Sequence, residues 1–267
     1  MAHALVFDSG VGGLSIVDEV RALMPTLRLS YVSDDAFRPY GDKTEAELGE
    51  RLPGLLWTLV EMTGADIVIL ACNTASTTAL SAIRAVVDVP VIGVVPAIKP
   101  AGAISRTKTI AVLGTPGTVK REYVDSLIND HAHDCRVILQ GSVNLVALAE
   151  QKLRGEAVPK DYIRREIAPI FEGRDGADVD AVVLACTHFP LLRDELQGSV
   201  KQTVRWIDSG RAIAKRVKFV LEEIGVAQGC EFSDQNAFLI GPDDKSQRVQ
   251  AFKARGFEHI IGLCPDD

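Results

Sequence analysis

The chain has 267 residues, a formal net charge of −7 at pH 7 and a pI near 5.3. Because sequence-independent binding to nucleic acid requires a basic face, this acidic chain is not expected to bind nucleic acid in that way. No apolar run approaches the roughly 20 residues that a bilayer-spanning helix needs, so no membrane partner is expected. Hydrophobic residues at 47% and charged residues at 24% are typical of a globular protein, with length for one large domain or two ordinary ones.

The cysteines indicate a reducing compartment. They are odd in number and scattered, unlike the cysteine framework of a small secreted protein. The N-terminal residues lead directly into a predicted strand and a glycine turn, without the apolar segment of a secretory signal. A cytoplasmic location is therefore expected. The cysteines are Cys72, Cys135, Cys186, Cys230 and Cys264.

The first part of the chain alternates predicted strands and helices. Apolar runs predict strands at 4–7, 29–32, 67–71 and 91–95. Helical spacing predicts helices at 14–24, 44–63 and 76–87, the second of them interrupted or kinked at Pro53-Gly54. The first strand ends in a glycine turn, Asp8 to Gly13.

The second part of the chain follows a similar plan. Strands are predicted at 109–113, 136–139, 182–185 and 204–207, and helices at 119–128, 144–154, 161–171 and directly after the third strand. A long helix then runs to Ile224, and the tail predicts a strand from Phe238, a turn at 241–243, a helix and a short strand.

These elements predict an α/β fold of two similar open-sheet lobes in a pseudo-twofold relation. Lobe one comprises residues 1–97 and 208–267 and carries Cys72, and lobe two comprises residues 98–207 and carries Cys186. Open α/β sheets bind ligands beyond the carboxyl ends of their strands. The active site is therefore expected in the cleft between the lobes.

Two Leu-Ala-Cys sequences, ending in Cys72 and Cys186, follow buried strands and precede predicted helices. A lone cysteine in an apolar strand is most often an inert core residue. At a helix N-terminus, however, unpaired N–H groups and the helix dipole favour the thiolate, and the free thiol pKa of ~8.5 needs only a modest decrease for base catalysis. Two such thiols in one cleft would form a matched acid–base pair.

Other polar residues allow more than one interpretation. His188 could orient the thiol two residues before it or be an exposed turn residue, and Asp8-Ser9 could be functional or a helix cap. Neither glycine turn matches a nucleotide-binding fingerprint. His131, His133 and Cys135 form a cluster that suggests a metal, but zinc sites need a fourth ligand and more specific spacing, so no metal is expected.

Five stretches are similar to the glutamate racemase family of the aspartate/glutamate racemase superfamily. They span most of the chain in the expected order, and the first two are specific to glutamate racemases. The stretches are DSGVGGLS (8–15), PYGDK (39–43), ACNTAS (71–76), VLGTPGTV (112–119) and LACTHFPLL (184–192).

The resemblance implies a cofactor-independent interconversion of L- and D-glutamate that supplies D-glutamate for peptidoglycan. By position, Cys72 and Cys186 would act on opposite faces of the α-carbon and exchange the roles of base and acid with direction. Asp8 and His188 match residues that tune the thiols, and Glu150 matches a third. The residues that match substrate contacts are Asp8, Ser9, Tyr40, Gly41, Asn73, Thr74, Thr187 and His188, with Thr115 and Thr118 as weaker matches.

The chain departs from the family pattern in two places. Residues Gly141 to Glu150 lack the usual cysteine-proline start and second proline, which puts the role of Glu150 in doubt. The chain also lacks the N-terminal extension of members activated by a cell-wall precursor, so no such activation is expected. Family members are often dimers, which makes a homodimer an expected partner arrangement without indicating its interface.

Three alternatives remain open at the level of sequence. The chain could be a racemase for aspartate or another small acid, because substrate choice depends on side-chain reach in the pocket. It could be a two-lobed ligand-binding protein with inert cysteines. A thiol-redox role is disfavoured because Cys72 and Cys186 do not form a Cys-x-x-Cys pair.

Overall fold

The computed structural model describes residues 2–226, 235–241 and 246–263. The chain divides into two compact units, one of Met1–Val94 with Gly210–Asp267 and one of Val95–Ser209. Cys230, Cys264 and most of the turn predicted at 241–243 lie outside the described residues.

The strands have largely the predicted positions. They are β1 (His3–Asp8), β2 (Arg28–Asp34), β3 (Ile67–Leu70), β4 (Val91–Gly93), β5 (Thr109–Gly114), β6 (Arg136–Gly141), β7 (Ala181–Leu184), β8 (Arg205–Ile207), β9 (Asn236–Ile240) and β10 (His259–Leu263).

The helices fill the connections between the strands. They are α1 (Leu14–Leu23), α2 (Glu45–Thr63), α3 (Asn73–Arg84), α4 (Ile98–Ile104), α5 (Pro116–Val119), α6 (Glu122–His131), α7 (Asn144–Leu153), α8 (Lys160–Phe171), α9 (Arg193–Ser199), α10 (Gly210–Glu223) and α11 (Ser246–Lys253). Short 3₁₀ turns occur at Tyr40–Asp42, Gly176–Asp178 and Phe189–Leu192. None of the helices in the described part of the chain combines the length and apolarity that a membrane span requires.

The first unit contains a six-stranded sheet in the order β10-β9-β2-β1-β3-β4, with every pair parallel. The central strands β1 and β3 are buried along their whole length, which explains why they are continuous apolar runs rather than alternating ones. Phe7 pairs with Leu70, so Asp8 and Cys72 follow neighbouring strands at the same edge of the sheet. Helices α2 and α3 cover one face with a leucine-rich core.

The second unit contains a four-stranded parallel sheet in the order β6-β5-β7-β8. Apolar residues of α7, α8 and α9 pack on one face, and those of α4 and α6 pack on the other. Leu113 pairs with Leu184, which places the turn after Gly114 beside the turn that holds Cys186. Both units are therefore α/β structures with parallel sheets.

Some helices differ in detail from their predictions. Helix α2 is not interrupted at Pro53, because a capping box of Thr44 and Glu47 fixes its start and buried leucines anchor it on both sides of the proline. The single helix predicted at 119–128 is two helices, α5 and α6. Thr115 caps α5 and Pro116 occupies its first turn, so that helix starts earlier than predicted and ends before Arg121.

Candidate active site

In the first unit, the turn after β1 is organised by the carboxylate of Asp8. Oδ1 of Asp8 accepts a hydrogen bond from the Ser9 N–H at 2.7 Å and lies 3.3 Å from the Ser9 hydroxyl. Oδ2 accepts from the N–H of Gly13, and Asp8 is 1% exposed. The carboxylate thus bonds the first and last residues of the glycine turn and holds Ser9 at the sheet edge.

Cys72 lies beside this turn at the start of α3. It is the N-cap residue of the helix, with an extended backbone and no side-chain cap hydrogen bond, and it is buried. Its Sγ atom is 3.6 Å from Oγ of Ser9. Because the first turn of a helix presents backbone N–H groups and a positive dipole end, this position favours a negative charge on sulfur or on a bound carboxylate.

The two residues after Cys72 are buried in the first turn of α3. Asn73 is 5% exposed and Thr74 is 4% exposed. Oδ1 of Asn73 is buried and has no hydrogen-bond partner within the described part of the chain. An unsatisfied buried amide oxygen is costly, so this atom is suited to accept a hydrogen bond from a ligand ammonium group.

Tyr40 and Gly41 lie in the 3₁₀ turn of the PYGDK stretch. Tyr40 is 2% exposed, and its hydroxyl donates to Oδ2 of Asp34 at 2.6 Å. Asp34 is fully buried at the end of β2 and also receives two hydrogen bonds from Arg51 on α2, at 2.7 and 2.8 Å. Burial, followed by the charge of Asp34, raises the pKa of Tyr40 well above its ordinary value. The Tyr40 hydroxyl therefore holds its turn in place. A polar contact between this turn and a substrate would be made by the turn's backbone groups.

Neither Asp34 nor Arg51 was among the residues predicted from the sequence. Asp34 ends an apolar strand just before the PYGDK stretch, and a carboxylate at a strand end was the signal that could have identified it. The sequence gives no comparable signal for Arg51, because only the tertiary structure brings α2 to the end of β2.

In the second unit, Cys186, His188 and Glu150 form a connected series. Sγ of Cys186 is 3.8 Å from Nδ1 of His188, and Nε2 of His188 is 3.4 Å from Oε1 of Glu150, a charge contact that lacks hydrogen-bond geometry. Cys186 and His188 are 7% and 6% exposed, whereas the Glu150 side chain is 18% exposed. A carboxylate on one ring nitrogen favours the tautomer that carries a proton there and makes the other nitrogen, toward the thiol, more basic.

The backbone after Cys186 differs from the sequence expectation. No α-helix begins at this thiol: a turn at Thr187-His188 leads into the 3₁₀ turn Phe189–Leu192, and α9 begins only at Arg193. Pro190 suits this early 3₁₀ position because it needs no N–H partner there. A helix N-terminus therefore lies at Cys72 and not at Cys186, whose neighbouring polar group is His188.

The remaining candidates have local structural roles. Thr115 is the N-cap of α5; its Oγ1 is 2.9 Å from Oγ1 of Thr118 and 3.3 Å from the Thr118 N–H. Thr187 is buried in the turn between Cys186 and His188. All three threonines lie at the carboxyl ends of β5 and β7, which are neighbouring strands.

The predicted His131, His133 and Cys135 cluster lies at the end of α6. Both histidines are exposed, while Cys135 is half-buried. Within the described ranges, no group of three His, Cys, Asp or Glu side chains is arranged to hold a metal ion.

The sequence and the fold both match known racemases. The profile of the Asp/Glu/hydantoin racemase family matches residues 15–217. A glutamate racemase of Shewanella sp. (strain MR-4) is 50% identical over 264 residues, which cover 98% of this chain and 92% of that protein. A glutamate racemase of Pasteurella multocida (strain Pm70) is 41% identical over 261 residues, covering 97% and 95%.

The similarity extends to solved structures. The crystal structure of Escherichia coli glutamate racemase in complex with L-glutamate and the activator UDP-MurNAc-ala has a TM-score of 0.91 at 40% identity, and 98% of each chain is covered. Glutamate racemase from Thermus thermophilus, in complex with beta-chloro-D-alanine, has a TM-score of 0.77 at 27% identity.

A parallel-sheet α/β fold with polar turns at the strand ends, together with the family profile, places the chain among amino-acid racemases, a class of isomerases. Within the Asp/Glu/hydantoin racemase family, the chain belongs to the glutamate racemases.

Proposed function

We propose that the protein interconverts L- and D-glutamate without a cofactor, with Cys72 and Cys186 as the two acid–base groups, and that it supplies D-glutamate for peptidoglycan. The observation that carries this proposal is the environment of the two thiols. Each is buried at the carboxyl end of a central strand, and each has a polar group near its sulfur: Ser9 for one and His188 for the other.

The chemistry requires two proton carriers. A thiolate removes the α-proton of glutamate, the electron pair remains on the α-carbon, and the other thiol delivers its proton to the opposite face. The product has the inverted configuration, and the thiol and thiolate have exchanged protonation states. The reverse direction uses the same groups in the opposite roles. The proposal requires both sulfur atoms to reach one α-carbon.

The surrounding groups have distinct roles in this mechanism. Negative charge develops on the α-carbon and its carboxylate, and preorganised backbone N–H groups such as those at the start of α3 stabilise it without a basic patch. Asp8 acts by holding the glycine turn and Ser9 beside Cys72. His188, with Glu150 on its far nitrogen, stabilises charge and moves a proton near Cys186.

Proton NMR in deuterium oxide tests the reaction. With L-glutamate and no added cofactor, we expect the α-proton signal to disappear and D-glutamate to form. If L-aspartate exchanges and L-glutamate does not, the substrate is aspartate and the two-thiol mechanism survives. If folded, reduced protein exchanges neither, the proposed activity is wrong and the ligand-binding alternative returns.

Single substitutions test the two thiols. Cys72→Ser and Cys186→Ser should each lower kcat by at least about 10³-fold, because a serine hydroxyl ionises far less readily than a thiol. Cys135→Ser, which replaces a half-buried cysteine at the end of α6, is the matched control and should keep wild-type turnover. Retention of activity in either of the first two variants would exclude that thiol as a base.

The proposal also includes a cytoplasmic location and a homodimer. The first is supported by the need for two reduced thiols and the second by the family resemblance. Fractionation of cells that express the protein tests the location. Sedimentation velocity at micromolar concentration tests the dimer, and a single monomer boundary would exclude it.

A further inference from the structure

We propose that Glu166 on α8 is a positioning residue that fixes the start of α7 and thereby sets the Glu150–His188 contact. This inference rests on the proposed role of His188 beside Cys186. Glu166 contacts neither thiol, and none of the sequence motifs includes it.

The start of α7 is held by the Ser142 hydroxyl, one residue before the N-cap position. Its N-cap residue is Val143, which is 60% exposed and makes no side-chain cap hydrogen bond. This stretch also contains no proline that would preset the backbone. Within the local sequence, the start of the helix therefore depends on the Ser142 hydroxyl.

Glu166 orients this hydroxyl from the neighbouring helix. The Ser142 hydroxyl donates to Oε2 of Glu166 at 2.6 Å, and Nδ2 of Asn144 donates to Oε1 at 2.8 Å. Oγ of Ser142 in turn accepts from the N–H of Leu145 at 3.1 Å. A carboxylate at a helix N-terminus also interacts favourably with the helix dipole.

The position of α8 is itself fixed against β6. Nε2 of Gln140, near the end of β6, donates to the backbone carbonyl of Glu166 at 3.2 Å. Ile163, Ile167 and Ile170 bury the inner face of α8 in the core of the unit. Glu166 is therefore a rigid reference point for α7.

Helix α7 transmits this constraint to the histidine. Leu145, Leu148 and Ala149 bury one face of α7, and Glu150 follows directly and lies 3.4 Å from Nε2 of His188. Near the other end, Lys152 pairs with Glu195 on α9. A shift at the start of α7 would change the carboxylate–imidazole distance, and through it the basicity of the nitrogen that faces Cys186.

The test compares Glu166→Ala and Asn144→Ala with Glu150→Gln, using L- and D-glutamate deuterated at the α-carbon. All three variants should weaken the proton transfer on the Cys186 side and lower kcat, by about tenfold for Glu166→Ala. The primary isotope effect should rise for the enantiomer whose α-proton Cys186 removes, because that removal becomes more rate-limiting. It should fall for the other enantiomer, because reprotonation by Cys186 then limits the rate.

Glu172→Gln, an exposed carboxylate directly after α8, is the control and should leave both isotope effects at wild-type values. Because Asn144 is exposed, Asn144→Ala should fold. It therefore tests the contact with Glu166 if Glu166→Ala does not fold. If Glu150→Gln shifts the isotope effects and neither of the other two variants does, the positioning role is wrong while the role of Glu150 stands. If Glu150→Gln leaves them unchanged, the Glu150–His188 link in the proposed function fails, and this inference fails with it.

Discussion

At the scale of single residues, carboxylates that are buried or half-buried support the turns that carry the candidate site. Asp8, Asp34 and Glu166 each accept at least two hydrogen bonds from turn or helix-start groups. An ionised carboxylate is a strong acceptor and is costly to bury without partners. Each of these side chains therefore favours one conformation of the turn beside it.

A buried histidine far from these turns makes the stability of the first unit depend on pH. Burial, with a further contribution from Arg28, lowers the pKa of His3 from 6.5 to about 4. Nε2 of His3 lies 2.9 Å from Oγ of Ser30, in a contact that suits the neutral ring. The folded state therefore binds fewer protons than the unfolded state between these two pKa values.

We expect His3 to destabilise the protein as the pH falls from about 6.5 to about 4, by about 1–3 kcal/mol in total. Urea unfolding of the wild type and of His3→Gln across this range measures the effect. The wild type should lose more stability on acidification than the variant does. His259→Gln, at an exposed position on β10, is the control, and an identical pH dependence for wild type and His3→Gln would contradict the prediction.

At the scale of elements, the glycine turn between β1 and α1 is determined by close packing. A Cβ atom on Gly13 would lie 2.8 Å from Oη of Tyr31, 3.0 Å from Cβ of Ala71 and 3.1 Å from Cβ of Asp8. Tyr31 cannot easily move, because its hydroxyl donates to the Gly10 carbonyl and its ring packs edge-on against Phe252. Glycine is required here by space rather than by an unusual backbone angle.

Gly13→Ala should therefore displace the turn that holds Asp8 and Ser9. We expect a destabilisation of about 1–3 kcal/mol from overpacking and a loss of kcat/KM of at least tenfold. Urea unfolding and a racemisation assay measure the two effects. Gly49→Ala in α2 is the matched control; its Cβ meets nothing within 4 Å, so the variant should gain about 0.5–1 kcal/mol and keep its activity. Full activity in Gly13→Ala would contradict the role of this turn.

At the scale of the whole molecule, the two units differ in the number of chain segments that form them. The unit Val95–Ser209 is one continuous segment with a four-stranded sheet and apolar cores on both faces. The other unit is assembled from two separate segments, because β9 and β10 add to the sheet beside β2. Continuity and a separate core are the properties of a segment that folds independently.

A fragment of residues 95–209 should therefore fold by itself and unfold cooperatively in urea. It should show no racemisation, because it carries Cys186 and lacks Cys72. Far-UV circular dichroism with urea titration provides the measurement, and residues 1–94 alone, which lack two strands of their sheet, provide the comparison. A fragment 95–209 without a cooperative transition would contradict this prediction.

The sequence by itself determined the fold class, the family and the position of nearly every strand. These features depend on local signals: continuous apolar runs for strands buried on both faces, and small polar residues where those runs end. The two helix errors had different causes, one in tertiary packing and one in a local cap. Packing of buried leucines keeps α2 continuous through Pro53. The cap at Thr115 makes α5 begin before the predicted position.

Only the tertiary structure decided which side chains support the candidate site. Arg51 reaches Asp34 from another element, and Glu150 reaches His188 although the sequence around it departs from the family pattern. Glu166 meets the start of α7 from the next helix. Such contacts join residues far apart in the chain, and their geometry depends on how helices pack on the sheets. A sequence shows where a polar residue lies along an element, and the packing of the elements determines which group it meets.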